Sequence, residues 1–257
     1  MIAFSPELSA LLGIGLWHGL VVFLRVSALV SLLPAFGEQS VPVRVRLVVA
    51  IMLTAVVAPA VTVPQGPAGL PGLAGYVLTE AAVGLALGIA LRLFVLALQT
   101  AGAIAAQSTS LSQLLGGAAV EPMPAMGYVL VIAGLALAAM TGLHVRAAEL
   151  LIFSYDLFPP GMLPEGRDLA LWGVGRVSHA FALSFSLAAP FVIASVIYNL
   201  ALGVINRAMP QLMVAFVGAP VITFGGLFLL CAAAPLMLSV WAGALAAFMA
   251  DPVGPAP

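Results

Sequence analysis

The chain is patterned in long apolar runs, with no extended stretch of the strict apolar/polar alternation that marks a half-buried strand. Runs at about 8–33, 43–62, 73–104, 125–155, 169–206 and 212–249 are long enough for helices, and roughly 20 apolar residues suffice to cross a bilayer. Turn chemistry separates them: Pro34 to Pro42 around Gly37, Pro64 to Gly72, and Pro159 to Pro164. Charge-free intervals measure the same blocks, with 33 uncharged residues between Arg46 and Glu80, 24 between Glu121 and Arg146, 30 between Arg176 and Arg207, and 43 between Arg207 and Asp251. The last interval is ~65 Å long as one helix, so it predicts a hairpin or a helix broken near Pro220 or Pro235. The expectation is an all-α integral membrane protein, one membrane domain over residues 1–257, with about six hydrophobic regions and a possible seventh crossing.

Composition sharpens this. Only 7% of residues are charged and 63% are hydrophobic, against about 25% charged in a soluble domain. All eight basic residues are Arg. Without Lys there is no Walker lysine, no Schiff base and no kinase lysine, and a net charge of −1 leaves no basic footprint for nucleic acid. A lone Cys231 excludes a disulfide framework or a thiolate metal site, and His18, His144 and His179 are too scattered for a shared ligand set. No metal and no cofactor is expected. Enzyme signatures such as HExxH and G-x-S-x-G are absent; Tyr155-Asp156 lacks the second motif of an intramembrane aspartyl protease and reads as the end of a helix. The first positive charge is Arg25, so no signal peptide is expected. Arg44 and Arg46 suggest a cytoplasmic first loop and an external N-terminus, while the side of the C-terminus depends on how often the last segment crosses.

Some charges sit where a simple span does not tolerate them. Arg25, Glu80 and Arg92 each lie inside an apolar run and must face protein, water or a partner charge. Two readings stand: an ion or proton pathway, or structural ion pairs and subunit contacts. Glu80 and Arg92 are twelve residues apart, hence ~120° apart on one helix, so each requires a partner elsewhere. Gly15/Gly19 and Gly84/Gly88 have the G-x-x-x-G spacing of close helix packing.

Two segments differ from the rest. QSTSLSQLLGGAAVEP, from Gln107 to Pro122, is polar but nearly uncharged and contains Gly116-Gly117. It reads either as a solvated loop or as a flexible plug inside a pore, where irregular backbone survives at membrane depth. In NLALGVINRAMPQLMVAFVGAP, residues Asn199, Gly203, Asn206 and Pro210 fall within about 40° of one helix face, suiting a buried interhelical or intersubunit contact. Arg207 lies off that face, placed to cap carbonyls or meet an acid.

NLALGVINRAMPQ with the following VGAP, Arg25 after Phe23, PAFGEQSVPVRVRLVVAIMLTAVVAPAV at 34–61 and the Gly142-to-His144 corner together resemble the FliR/SpaR/EscT family of type III export-gate subunits, flagellar by overall likeness. The likeness covers essentially the whole chain. It implies a fold of bent helical hairpins and a single copy assembled with FliP-like and FliQ-like subunits, capped by an FlhB-like subunit, in the bacterial inner membrane. It further implies a channel for unfolded polypeptides, with a pore plug comprising Gln107, Ser108, Thr109, Ser110, Leu111, Ser112, Gln113, Leu114, Leu115, Gly116, Gly117 and Glu121. Glu121-Pro122 stands where the family usually has Asp-Pro. Subunit or intrahelical polar contacts are expected at Arg25, Arg44, Arg46, Glu80, Arg92, Asn199, Gly203, Asn206, Arg207, Pro210 and Gln211. The alternative is a secondary transporter of a small solute, motivated by Glu80, Arg92 and broken helices. A third reading is a purely structural scaffold.

Overall fold

A computed structural model describes residues 6–64, 69–109, 125–209 and 214–254. It is all-α, and no strand occurs among the described residues. The helices are α1 (Pro6–Val30), α2 (Val43–Val57) followed by a 3₁₀ turn (Ala58–Ala60), α3 (Leu70–Thr109), α4 (Ala125–Met140), α5 (Leu143–Leu157), α6 (Gly166–Ala208) and α7 (Val214–Ala250). Among the described residues, four segments are long and apolar enough to cross a membrane, namely Val43–Ala60, Leu70–Ser108, Gly166–Ala208 and Val221–Ala250; α4 with α5 makes a fifth if the bent pair counts as one span.

Two expected boundaries change. The apolar run at 125–155 is two helices bent by 72°, not one. Gly142 causes the break: at φ +83° it leaves the right-handed helix, and its carbonyl then accepts the N–H groups of Val145 and Arg146 to start α5. The 212–249 run shows the opposite departure, because α7 continues from Val214 to Ala250 with Pro220 and Pro235 inside it. A proline removes one N–H, yet in an apolar setting leaving the helix would orphan several more backbone groups, so continuing is the lower-energy course. α6 accommodates Pro190 in the same way.

The chain divides into two compact units. The first comprises residues 1–92, 138–176 and 246–257, and the second residues 93–137 and 177–245. In the first, Val21, Val22, Val26 and Leu29 of α1 are buried, as are Leu87 and Leu91 of α3 and Ala147, Leu150 and Leu151 of α5. α3 approaches α1 closely because Gly84 has no side chain: a Cβ there would stand 2.4 Å from the carbonyl oxygen of Arg25. The Gly15/Gly19 pair makes no such approach among the described residues, since a Cβ at either meets nothing within 4 Å. Gly84→Leu is therefore expected to destabilise the first unit by about 3 kcal/mol or more, the upper range for overpacking. Gly15→Leu should leave thermal unfolding in detergent unchanged; equal losses in both variants would contradict this packing.

The second unit is built around Trp241, which is fully buried and donates its indole N–H to the carbonyl of Phe94 at 2.8 Å. Leu98, Ala101, Leu130, Ala188 and Phe191 are buried in the same unit. Here α3 and α4 cross at glycines, a Cβ on Gly102 falling 2.1 Å from Cα of Gly127.

Candidate functional site

The charges flagged in the apolar runs lie in the first unit and are matched there. Arg25 and Glu80 are both fully buried, and Arg25 Nε donates to Glu80 Oε2 at 2.8 Å. The rest of the guanidinium serves the end of α5. Nη1 donates to the Ser154 carbonyl at 2.9 Å and to its hydroxyl at 3.2 Å, and Nη2 donates to the Phe158 carbonyl at 2.8 Å. The last carbonyls of a helix lack intrahelical donors and carry partial negative charge, so a cation there both caps and neutralises.

Glu80 uses its other oxygen on the connector after α5, accepting the N–H of Gly161 at 3.0 Å. The Tyr155 ring lies under the Arg25 guanidinium at 3.8 Å, within cation–π range. Tyr76, one helical turn before Glu80, packs against Gly161 and meets Trp17 edge-on at 5.3 Å. Trp17 in turn donates to the Pro64 carbonyl at 3.1 Å. Two buried charges thus fix α1, α3, the end of α5 and the start of the α5–α6 connector. With the two charges fully buried and 2.8 Å apart, the arrangement is a clamp.

A second pair joins Arg92 of α3 to Glu38 in the α1–α2 turn, both partly buried. Arg46 holds the same turn by donating to the carbonyls of Val41 and Glu38. Arg44 lies exposed in the first turn of α2. The expectation that Glu80 and Arg92 have separate partners holds, with separations of 55 and 54 residues. Within the chain, Arg25, Glu80 and Arg92 find partners on other helices or turns, because distant segments pack around them. Both pairs close within the chain.

The remaining expected positions fall in the second unit or at the end of α3. Asn199, Gly203, Asn206 and Arg207 are all exposed on the last turns of α6, and Asn199 donates to the carbonyl of Ser195 at 2.8 Å. Among the described residues no helix covers that face. Gln107, Ser108 and Thr109 end α3, with Gln107 exposed and the Ser108 hydroxyl donating to the Ala105 carbonyl at 2.7 Å. Ser110, Leu111, Ser112, Gln113, Leu114, Leu115, Gly116, Gly117 and Glu121, like Pro210 and Gln211, lie outside the described residues. No group of three His, Cys, Asp or Glu side chains placed to hold a metal occurs among the described residues.

Charge is unevenly shared. Of the eight basic and nine acidic residues, all but Arg207 and Glu121 belong to the first unit. Much of the second unit's helix surface is nonetheless exposed and apolar, including Ile193, Ile197, Leu200 and Val204 on α6 and Phe224 and Phe228 on α7. Such surface needs lipid or other apolar helices around it.

Comparison with known proteins follows the same extent. The family model described as bacterial export proteins, family 1, matches residues 16–248. The chain belongs to that family. Flagellar biosynthetic protein FliR of Caulobacter vibrioides is 36% identical over 225 residues, covering 86% of this chain and 90% of that protein. The FliR of Escherichia coli K12 is 31% identical over 216 residues, 83% of each chain, and that of Bacillus subtilis 28% identical over 213 residues, 78% of this chain and 80% of the relative.

As a member of the FliR family the chain carries its two ion pairs in segments that the sequence likeness had singled out, Arg25 and the 34–61 stretch with Glu38. Sequence reasoning missed Glu38 as a partner, and missed Ser154, Tyr155, Phe158 and Gly161 as the acceptors, platform and donor of the clamp. A signal for Glu38 existed: it is the one acid in the turn between α1 and α2, and an Arg in an apolar helix needs one. Backbone acceptors leave no mark in sequence.

Proposed function

We propose that this chain is a channel-forming subunit of the flagellar protein export gate, assembling in the bacterial inner membrane with FliP-like and FliQ-like subunits and an FlhB-like subunit to pass unfolded polypeptides. Family membership makes it a flagellar protein-export component, and its long apolar helices make it membrane-embedded. The observation that supports assembly most directly is the exposed, almost uncharged surface of the second unit: long helices carry Ile, Leu, Val and Phe on faces that this chain itself leaves open. A subunit surrounded by apolar neighbours accounts for that surface, and the exposed Asn199, Gly203 and Asn206 on α6 supply the small and amide side chains that helix–helix contacts favour in membranes. The polar, nearly uncharged segment after α3 is assigned as the seal of the channel.

The expected result of co-expression with FliP-like and FliQ-like proteins of the same organism is one complex of fixed stoichiometry. Asn206→Leu together with Gly203→Leu should reduce its recovery by about ten-fold, the effect of losing roughly 1–2 kcal/mol of interhelical contact. A chain that purifies alone as a monodisperse species, and gains no partner on co-expression, opposes the assignment.

A further inference from the structure

We propose that the first unit contains a lipid site: a cavity that takes one acyl chain of an aminophospholipid and holds its primary ammonium at Glu165 and Asp168. The cavity is about 310 Å³, in the range of small-ligand pockets. Its lining combines the small side chains of Ala82 and Ala86 of α3 with Leu87, Phe158, Leu169 and Trp172. The two carboxylates lie among the lining residues, on either side of the start of α6.

The walls are held by specific bonds. Phe158 is fixed by the Arg25 guanidinium through its carbonyl. The closing strand of chain, Pro252 and Val253, is fastened to α6: Trp172 donates its indole N–H to the Pro252 carbonyl at 2.8 Å, and Arg176 donates to the Gly254 carbonyl. Asp251 Oδ1 accepts the N–H of Gly254 at 2.8 Å and so folds the strand into its turn.

Charge and surroundings select the occupant. Leu163 and Leu171, flanking the two acids in sequence, are 55% and 63% exposed, so apolar surface borders the two exposed acidic side chains, and an ammonium headgroup over an apolar tail matches both. Asp168 in the first turn of α6 also favours the helix dipole, but Glu165 precedes the helix and the dipole does not account for an apolar hollow beneath it. A primary ammonium donates hydrogen bonds to carboxylates, and exposed Arg167 in the same turn suits the adjoining phosphate. An apolar tail below an ammonium and a phosphate is the chemistry of such a lipid, and Trp172 suits the level where headgroup meets hydrocarbon.

The test is native mass spectrometry of the full-length chain released from bilayer discs made with phosphatidylethanolamine, phosphatidylcholine or phosphatidylglycerol. Phosphatidylethanolamine should be retained roughly five-fold over the other two, as exposed ion pairs allow. Ala86→Phe should abolish retention of all three, with Ala82→Leu as a second, milder filling of the same space. Glu165→Gln with Asp168→Asn, at exposed positions that do not support the core, should keep a tail bound and erase the headgroup preference. Equal retention of the three lipids by the unaltered chain overturns the proposal. So does undiminished retention in both cavity-filling variants, or retention of a soluble alkylamine with no lipid.

Discussion

Replacing Arg25 by Met is expected to lower the stability of the detergent-solubilised chain by about 3–5 kcal/mol, the cost of leaving a buried charge unpaired. That is a large share of the roughly 5–15 kcal/mol that holds a typical domain together. Glu80 would keep the Gly161 N–H but lose its charge partner, while the carbonyls of Ser154 and Phe158 would lose their side-chain donors. Arg25→Lys should recover less than half of the loss, because a single ammonium cannot address Glu80, Ser154 and Phe158 at once as the planar guanidinium does. The Arg25→Met, Glu80→Met double variant should be more stable than Arg25→Met alone, since two apolar side chains replace a buried pair at little net cost. Thermal unfolding and swimming-halo diameter measure the series. An Arg25→Met chain within 1 kcal/mol of the unaltered protein would sink the clamp.

Removing residues 107–120 tests the seal. The deletion takes the exposed Gln107, the part-buried Ser108 and most of the polar segment, but no buried residue among the described ones, so the complex should still assemble. Its membrane should instead leak: cytoplasmic pH should track an external acid shift within seconds, against minutes for cells with the intact chain. A channel that remains tight to protons after the deletion removes the plug from this segment. Failure to assemble points to a structural role at the end of α3 and also counts against a plug.

Much of the fold was legible because apolar run length is a coarse but strong signal in a chain with so few charges. Six runs gave the regions of the seven α-helices among the described residues. Run length alone joined α4 and α5, although the family likeness marked a Gly142-to-His144 corner; a glycine inside an apolar run is compatible with a helix, and only its left-handed φ ends one here. Pro235 misled in the other direction: proline breaks helices in water, where freed backbone groups find solvent, and an apolar surround withdraws that option. The clamp was half legible. Arg25 and Glu80 stood out as charges in the wrong company, but nothing in a 3.6-residue period links positions 55 apart. For the Asn199 face, periodicity defined which side chains align and had no bearing on what lies opposite them.

The order in which the clamp's parts leave the ribosome has a consequence of its own. Arg25 and Glu80 belong to the first third of the chain, but Gly161 follows Glu80 by 81 residues. At about 5–20 residues per second the interval is roughly 4–16 s. For that time the newborn protein holds an ion pair whose remaining donors and acceptors do not yet exist. The first unit also includes residues 246–257, so it closes only after the 245 residues before them have been made. A nascent chain of this kind is best served by a membrane insertase or chaperone that shelters charge until the last helix arrives.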